Sequence, residues 1–596
     1  MVRANFAGTI FCIELYHCSE MFIHTIFGLT MMDFLSSWSR LLVLSTLLML
    51  SACATNDVAT KSVAINLVAL NDFHGHLEAG KFTYTSMTDQ QPHTVTAGGI
   101  AAIGAALQAW RLEDQELLFV GAGDLVGASP AMSAMWADEP SINAMNFLGL
   151  RASSVGNHEF DAGRIELLRQ QNGGCQSSRP DLACKLKPGF EGAQFTYLAA
   201  NVIDHATGKP VLPAYRIEQA HGIKIAFIGA VLKDTASVAL ASGIAGLDFI
   251  DEADAINAVL AQLKAQGVGV FVVLIHQGGS TDEYFDQPDC RHLQGPIVDI
   301  VKRLDPAIRV VISGHSHTAY LCRVDGRLVT QAEMGGHVLS RIELLVDAPS
   351  NRVTAVSARN VVMQAGAYPD NAVLSAYQRE VSARSATALM RLIGQIAVPL
   401  VSRTVAATGE SALGDLLADS ALAATHDSGA QIAFMNNGGM RNDLEAGEHR
   451  IATFGQCQIV LPFGNTLVLM NLSGLQIRAL LEQQWHEGAA SEHGLLQISN
   501  GFSYVWDGLH PRGHRVQAGS MMLHGVMLDE RQTYRVVVNN FLSEGGDHFS
   551  LFTQGTQRLD SGVRDIDALT AYLASSARSG KPAGSAVPAG RILRIH

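Results

Sequence analysis

From Val63 to about Val362, short runs of Val, Ile, Leu and Ala alternate with stretches of helical periodicity. The runs are VALNDFHGH, LLFVGAGD, SSVGNHEFD, TYLAANV, AFIGAV, VFVVLIHQGG and VVISGHSHT. Between them the spacing of apolar residues predicts helices such as Gly99 to Ala109, Ile165 to Gln171, Ala253 to Gln266 and Pro296 to Leu304. Such alternation predicts a layered α/β domain. Around Ala367 to Leu392 the pattern turns polar and helical, rich in Ala, Ser, Arg and Glu without a large apolar face, and reads as a connecting helix. A second block, Ile393 to His596, mixes strands and helices again and carries the Gly-rich turns NNGGMR, LPFGNT and SEGGDHF.

Five of the seven β-rich runs carry side chains that bind metals. They are Asp72 and His74, Asp124, Asn157 with His158, His276, and His315 with His317. Ligands in open α/β sheets gather at the carboxyl ends of strands, so this repeated placement predicts that the residues converge in space. Asp72 and His74 sit two apart and can point at one ion, with His76 a spare at the same spacing. Asp124 follows glycines that let the backbone pass close to an ion, and its carboxylate can bridge two metals roughly 3.5–4 Å apart. Asn157 adds a neutral oxygen, and the imidazoles favour Zn, Mn or Fe over Ca or Mg. Taken singly, an Asp or His at a strand end is more often a hydrogen-bonded structural residue. Their recurrence in this order predicts a two-metal site.

A chain of 596 residues is too long for one compact core and suits two or three domains, and 48% hydrophobic residues can fill them. A net charge of −13 argues against a nucleic-acid polymer as main partner, because phosphate-backbone binding needs clustered Lys and Arg. The apolar run Leu41 to Leu50 follows Arg40 and stops at LSAC, which reads as a secretory signal over residues 1–52. It resembles a bacterial lipoprotein signal with Cys53 as the acylated residue and 53–62 as a tether. Because MMDFLSSWSRLL would itself be a complete signal start, residues 1–30 read as an upstream extension. Export implies an oxidising compartment, so a Cys175–Cys184 disulfide is expected, a Cys290–Cys322 bridge is a weaker expectation, and Cys457 is the expected buried free thiol. Ala54, where inner-membrane retention would use Asp, is compatible with outer-membrane sorting, so the predicted location is periplasmic or cell-surface and lipid-anchored.

The order GD, GNHEFD, HQGG and GHSH resembles the calcineurin-like metallophosphoesterases, and the second block narrows the resemblance to the exported bacterial 5′-nucleotidase and UDP-sugar hydrolase family, over roughly Val63 to His596. That resemblance implies a four-layer α/β/β/α metallophosphoesterase sandwich over 63–362, a linker helix over 363–392 and a mixed α/β nucleotide-binding domain over 393–596. It implies two divalent ions, Zn, Mn or similar: one held by Asp72, His74, Asp124 and His317, the other by Asp124, Asn157, His276 and His315. His158 and Asp161 match the family's catalytic pair. Two such ions would polarise phosphoryl oxygens, lower the pKa of a bound water and hold nucleophile and phosphorus in line, while His158, oriented by Asp161, helps the leaving alkoxide depart. His76 has no role in this pattern.

In the second block the resemblance places a nucleoside base between Phe463 of LPFGNT and Phe541 of NNFLSEGGDHF, with Asn465 on the base, Asp547 on the ribose hydroxyls and Arg441 on the phosphate or ribose side. Gly501 of SNGFSY is expected to line the base pocket. ESALGDLLADS departs from the family helix: it has Asp415 where Asn or Arg is expected and no Arg immediately before it, the nearest being Arg403. Metals on one domain and a base clamp on the other would require the domains to close, with a hinge near Ala367 to Leu392. The expected activity is hydrolysis of nucleoside 5′-monophosphates for extracytoplasmic salvage. The alternatives are a 2′,3′-cyclic nucleotide phosphodiesterase with 3′-nucleotidase activity, a UDP-sugar hydrolase, a thiosulfate-ester hydrolase lacking the aromatic clamp, and a non-catalytic nucleotide-binding surface protein.

Overall fold

The computed structural model describes residues 62–485 and 495–596. The predicted signal and the Cys53 anchor lie outside the described residues. Two mixed sheets of six strands dominate the first block. In the first, Arg352–Val362, Val338–Asp347, Ser62–Leu70, Leu118–Ala122, Leu150–Ser154 and Thr196–Leu198 lie side by side. In the second the order is Ala319–Val324, Arg327–Ala332, Ile308–Ser313, Val270–His276, Ile223–Val231 and Tyr215–Ala220. The central strands of each sheet pair in parallel.

Strand alternation explains the layering, because successive side chains point to opposite faces. Leu67 and Ala69 enter a cluster between the two sheets, where they meet Val120, Phe227, Val272, Leu274, Val310 and Ile312. Their neighbours Val68 and Leu70 face the opposite way, into a cluster with Ile103, Leu107, Ile142 and Leu167. These belong to helices Gly99–Glu113, Glu139–Leu148 and Gly163–Asn172. On the second sheet Phe271, Val273 and Ile275 face outward and are covered by helices Glu252–Ala265 and Pro296–Arg303. The result is the α/β/β/α sandwich that the resemblance implied.

The segment read as a polar connector is a helix, Ala372–Leu389, and it does bury a face. Leu374, Tyr377, Val381 and Ser385 are buried along one stripe, and the first three join the outer core of the first sheet. The stripe was hidden because only three of its positions are large and apolar. Trp136 Nε1 donates to Ser385 Oγ at 2.9 Å, a contact that periodicity cannot show.

The second block is built on a five-stranded sheet ordered Gln497–Ile498, Ile432–Met435, Thr533–Asn539, Thr466–Ser473 and Thr556–Arg564. Helices Ala412–Thr425 and Asp565–Arg578 cover one face through Ala418, Leu469, Val537 and Ala568. The other face packs Phe434, Val468 and Val538 against Trp485, Phe502, Tyr504 and Trp506. Disulfides join Cys175 to Cys184 and Cys290 to Cys322, and Cys457 is a buried free thiol. No helix among the described residues is long and apolar enough to cross a membrane.

Helix Ala372–Leu389 seats Leu374 directly against Gly104, where an added Cβ would fall on the leucine side chain. Gly104→Ala is therefore expected to lower stability by about 1–3 kcal/mol through overpacking, although alanine is favoured over glycine in a helix by roughly 1 kcal/mol. In a Leu374→Ala background the same change should be neutral or stabilising. Urea unfolding of both singles and the double checks this, and simple additivity would refute the contact.

Candidate active site

The parallel strands of both sheets end at one rim, and the loops that leave them carry the predicted ligands. Asp72 follows strand Ser62–Leu70, Asp124 follows Leu118–Ala122, Asn157 follows Leu150–Ser154, His276 closes Val270–His276, and His315 follows Ile308–Ser313. Asp72, His74 and His317 present ligand atoms within 4.8 Å of one another, as do Asp72, Asp124 and His276, and His74, Asp124 and His158. Asn157 Oδ1 lies 3.0 Å from His315 Nδ1. The seven predicted metal ligands are thus brought to one place.

The backbone bends sharply to do this. Asp72, His74, Asp124, His315 and His317 have φ of 50°, 46°, 52°, 75° and 52°, a left-handed conformation rare for residues with a Cβ and characteristic of functional sites. Gly123 is needed for a second reason. A Cβ there would lie 2.6 Å from the Gly156 nitrogen and 2.7 Å from His276 Nδ1.

Ring orientation is set from behind. His74 Nδ1 donates to the Gly127 carbonyl and His276 Nδ1 to the Ala122 carbonyl, each at 2.8 Å, which leaves both Nε2 atoms free to act as ligands. His74 Nε2 faces His317 Nε2 at 3.1 Å. His276 Nε2 is fully buried, 3.0 Å from Asp124 Oδ2, and makes no well-formed hydrogen bond. Converging lone pairs of imidazole and carboxylate around an orphaned buried nitrogen fit divalent cations.

The buried acids and imidazoles shift one another's titration. Burial pushes the Asp72 carboxyl up, but His317 and His276 outweigh it and bring it down to about 2. Burial likewise opposes ionisation of Asp124, and His276 and His158 hold it well below the usual carboxylate range. Burial lowers the His276 imidazole, yet Asp124 and Asp72 drive it up to about 10. Burial dominates at His74 and His315, which are both lowered, the latter to about 4.

His158 Nδ1 lies 2.8 Å from Asp161 Oδ2. Burial lowers the imidazole, but Asp161 and Asp124 more than compensate and its pKa is raised. The same ring stacks on Phe463, with centroids 5.6 Å apart and planes 21° from parallel. Arg441 sits over the Phe463 ring at 5.8 Å.

These groups open into a cavity of about 190 Å³ that both blocks line. Asn157, His158, Asp161 and His315 line it from the first block, and Arg441, Phe463, Asn465, Phe541 and Asp547 from the second. Gly501 is not in its wall. Its carbonyl accepts the His524 N–H at 2.7 Å and a Cβ there would meet the His524 ring, so the structure places it in a turn beside strand Phe502–Trp506.

Sequence reasoning missed several residues here. Asn436 lines the cavity and donates from Nδ2 to Asp547 Oδ2 at 2.7 Å, and Asn539 Nδ2 donates to Asn436 Oδ1 at 2.9 Å. Asn436 stands in the NNGGMR turn itself, so the turn was the available signal. Asn71 Nδ2 donates to Asp72 Oδ2 at 2.7 Å. Val238, Ala239 and Leu240 supply an apolar wall that nothing in the sequence marks. His76 packs edge-on to His337, ring centroids 6.2 Å apart, and belongs to none of the ligand groups.

Asp415 does not reach the cavity. It is buried in helix Ala412–Thr425, where Oδ2 accepts the Ala589 N–H at 2.8 Å and Oδ1 lies 3.7 Å from Arg591 Nη1. Arg403 Nη1 donates to the carbonyl of Arg441.

A sandwich with Asp, Asn and His at the ends of its parallel strands, joined to a second α/β block, defines a calcineurin-like metallophosphoesterase with an added C-terminal domain. Residues 392–554 match the family model "5'-nucleotidase, C-terminal domain". Over 552 residues the chain is 28% identical to Endonuclease YhcR of Bacillus subtilis, covering 91% of this chain and 43% of that protein. It is 24% identical over 602 residues to the 5'-nucleotidase of Vibrio cholerae, covering 91% of this chain and 96% of that one. A crystal structure of a 5'-nucleotidase precursor from Thermus thermophilus superimposes with a TM-score of 0.71 at 28% identity, covering 90% of this chain and all of that one. Residues 392–554 thus carry a 5'-nucleotidase C-terminal domain, and over 91% of its length the chain is similar to a 5'-nucleotidase.

Burial, then Glu410, pushes the Asp415 carboxyl up to about 7. Below about pH 4 the group is protonated in folded and unfolded chains alike; between about pH 4 and 7 only the unfolded chain ionises, so its contribution to stability falls as pH rises and is flat above pH 7. Asp415→Asn removes that dependence, so it should raise Tm at pH 8 relative to the parent by more than it does at pH 5. An equal shift at both pH values would refute it.

Proposed function

We propose that this chain is a metal-dependent phosphoric monoester hydrolase that releases phosphate from nucleoside 5′-monophosphates. One observation carries the reading: a single cavity is lined both by the His158–Asp161 pair with the edge of the Asp/Asn/His cluster and by two phenylalanines, an arginine and an aspartate. Such a lining suits a substrate that joins a phosphate to a base.

Asp72, His74, Asp124 and His317 would hold one divalent ion, and Asp124, Asn157, His276 and His315 the other. When bound, such ions supply charge that withdraws electron density from phosphoryl oxygens and acidifies water enough for it to act as a nucleophile near neutral pH. The chain's own residues do the rest. His158 keeps its Nδ1 proton on Asp161, so the opposite edge of the ring can stabilise charge developing on the phosphoryl group and give its Nε2 proton to the departing ribose oxygen. Arg441, beside the ring of Phe463, adds a fixed positive charge between phosphate and base.

Phe463 and Phe541 would sandwich the base, Asn465 would bond its edge, and Asp547, held by Asn436, would accept the ribose hydroxyls. Residues 63–362 would act as the catalytic domain, 393–596 as the substrate domain, and the segment near 363–392 as the hinge between them. We propose export with a lipid on Cys53, which the two disulfides support.

Phosphate release by the mature chain lacking Cys53 tests this on a panel of 5′-monophosphates, cyclic nucleotides and UDP-sugars with Mn or Zn. Chelator should abolish release from 5′-monophosphates, and His158→Ala should lower kcat by about 10²–10⁴-fold. Phe463→Ala or Phe541→Ala should each weaken nucleotide binding by roughly 5- to 150-fold, the equivalent of one lost stacking contact. Activity confined to the cyclic or sugar-linked members would overturn the substrate assignment.

A further inference from the structure

Glu159 follows His158 directly in GNHEFD, yet it is buried and absent from the cavity wall. Its carboxylate reaches back to the neighbouring loop. Oε2 accepts the backbone N–H of Asp124 at 2.9 Å and that of Gly156, while Oε1 accepts the N–H of Leu125 at 2.8 Å and the hydroxyl of the buried Tyr197 at 3.4 Å. Three of these four partners are backbone amides, which can only donate, so the two carboxyl oxygens serve as their acceptors. In return Asp124 Oδ1 accepts the backbone N–H of His158 at 3.0 Å. The loop that carries Asp124 and the loop that carries Asn157 and His158 are thus laced together in both directions by carboxylate-to-amide bonds. Asp124 is also one of the residues held at positive φ, a conformation the surroundings must impose.

We propose that Glu159 is a positioning residue for the metal centre: its carboxylate fixes the Gly123–Leu125 and Gly156 backbone so that Asp124 and Asn157 are presented together to divalent cations. This rests on the reading of Asp124 and Asn157 as ligands. Asp72 and Asp124 belong to the candidate ligand groups, whereas Glu159 does not, and its hydrogen bonds go to three main-chain amides and the Tyr197 hydroxyl. No neighbour of similar reach duplicates it, since the Asp124 and Leu125 amides have no other hydrogen-bond acceptor.

Glu159→Gln keeps the shape but turns one oxygen into an NH₂ that must face backbone donors. Titration of the metal-free protein with Mn, read by calorimetry, should show affinity about 10- to 100-fold weaker than in the parent, with kcat lowered by a similar factor and KM for the nucleotide changed by less than about threefold. Thermal unfolding of the metal-free variant should stay cooperative. Mn affinity and kcat within about twofold of the parent, whatever the change in Tm, would reduce Glu159 to a structural residue and overturn the proposal. If Glu159→Gln does not fold, Glu159→Asp decides in the same assay: it keeps the charge but is one methylene too short to reach both loops. A parent chain that binds no Mn or Zn would instead overturn the ligand assignment beneath this inference.

Discussion

Everything at the rim depends on how two sheets are pressed together. Asp72, Asp124 and Asn157 leave the first sheet, while His276, His315 and His317 leave the second. No strand pairing joins the two sets. What aligns them is the dry layer between the sheets, where Leu67, Ala69 and Val120 meet Val272, Leu274 and Ile312. A slip of one residue in either sheet would turn these side chains to the opposite face and separate the ligands. The same layer buries the carboxylates, so its packing also sets the dielectric in which they act.

Burying acids and imidazoles at a common point is costly unless each is bonded. The backbone provides many of those bonds. Asp72 accepts the His315 N–H on both oxygens, at 3.1 and 2.9 Å, and Asp124 accepts that of His158. Each bond fixes a carboxylate on one loop to the amide of another, and the left-handed turns at these positions aim the amides. Strain in the backbone and charge in the side chains therefore hold each other in place. The imidazoles of His317 and His276 lower Asp72, and His276 and His158 lower Asp124, while the two carboxylates raise His276, so the buried acids and imidazoles offset one another's desolvation.

Much of this was legible in the sequence because two independent signals coincided. An apolar β-rich run gives the strand, and a metal-binding side chain just past its end gives the site; where both occurred, at Asp72, Asp124, Asn157, His276 and His315, the structure brings the residues together. Where only one signal existed the reading was weaker. Helix Ala372–Leu389 looked like a bare connector because Ser385 contributes to its buried stripe as much as Leu374 does. Gly501 of SNGFSY was expected to line the base pocket, but the group that approaches it is His524. Val238 to Leu240 carry no chemistry at all, and their place in the cavity is decided by how the two blocks face each other. Glu159 was in plain view within GNHEFD. Its partners are backbone amides, which leave no mark on a sequence.

The contact between His158 and Phe463 ties recognition to chemistry. The ring that would move a proton lies face to face with the ring that would stack on the base, and the guanidinium of Arg441 lies over that same phenylalanine. A base inserted between Phe463 and Phe541 would therefore bear on a ring already stacked on His158. Asp161 fixes His158 from the other side through Nδ1, so the imidazole has a hydrogen bond to hold its tilt and an aromatic face to hold its plane. Neither constraint suffices alone: the hydrogen bond leaves the ring free to pivot, and the stack leaves it free to slide. Together they fix the direction in which Nε2 points, which is what proton transfer to a leaving oxygen requires. One constraint comes from each block, so the orientation of His158 is set where the two blocks meet.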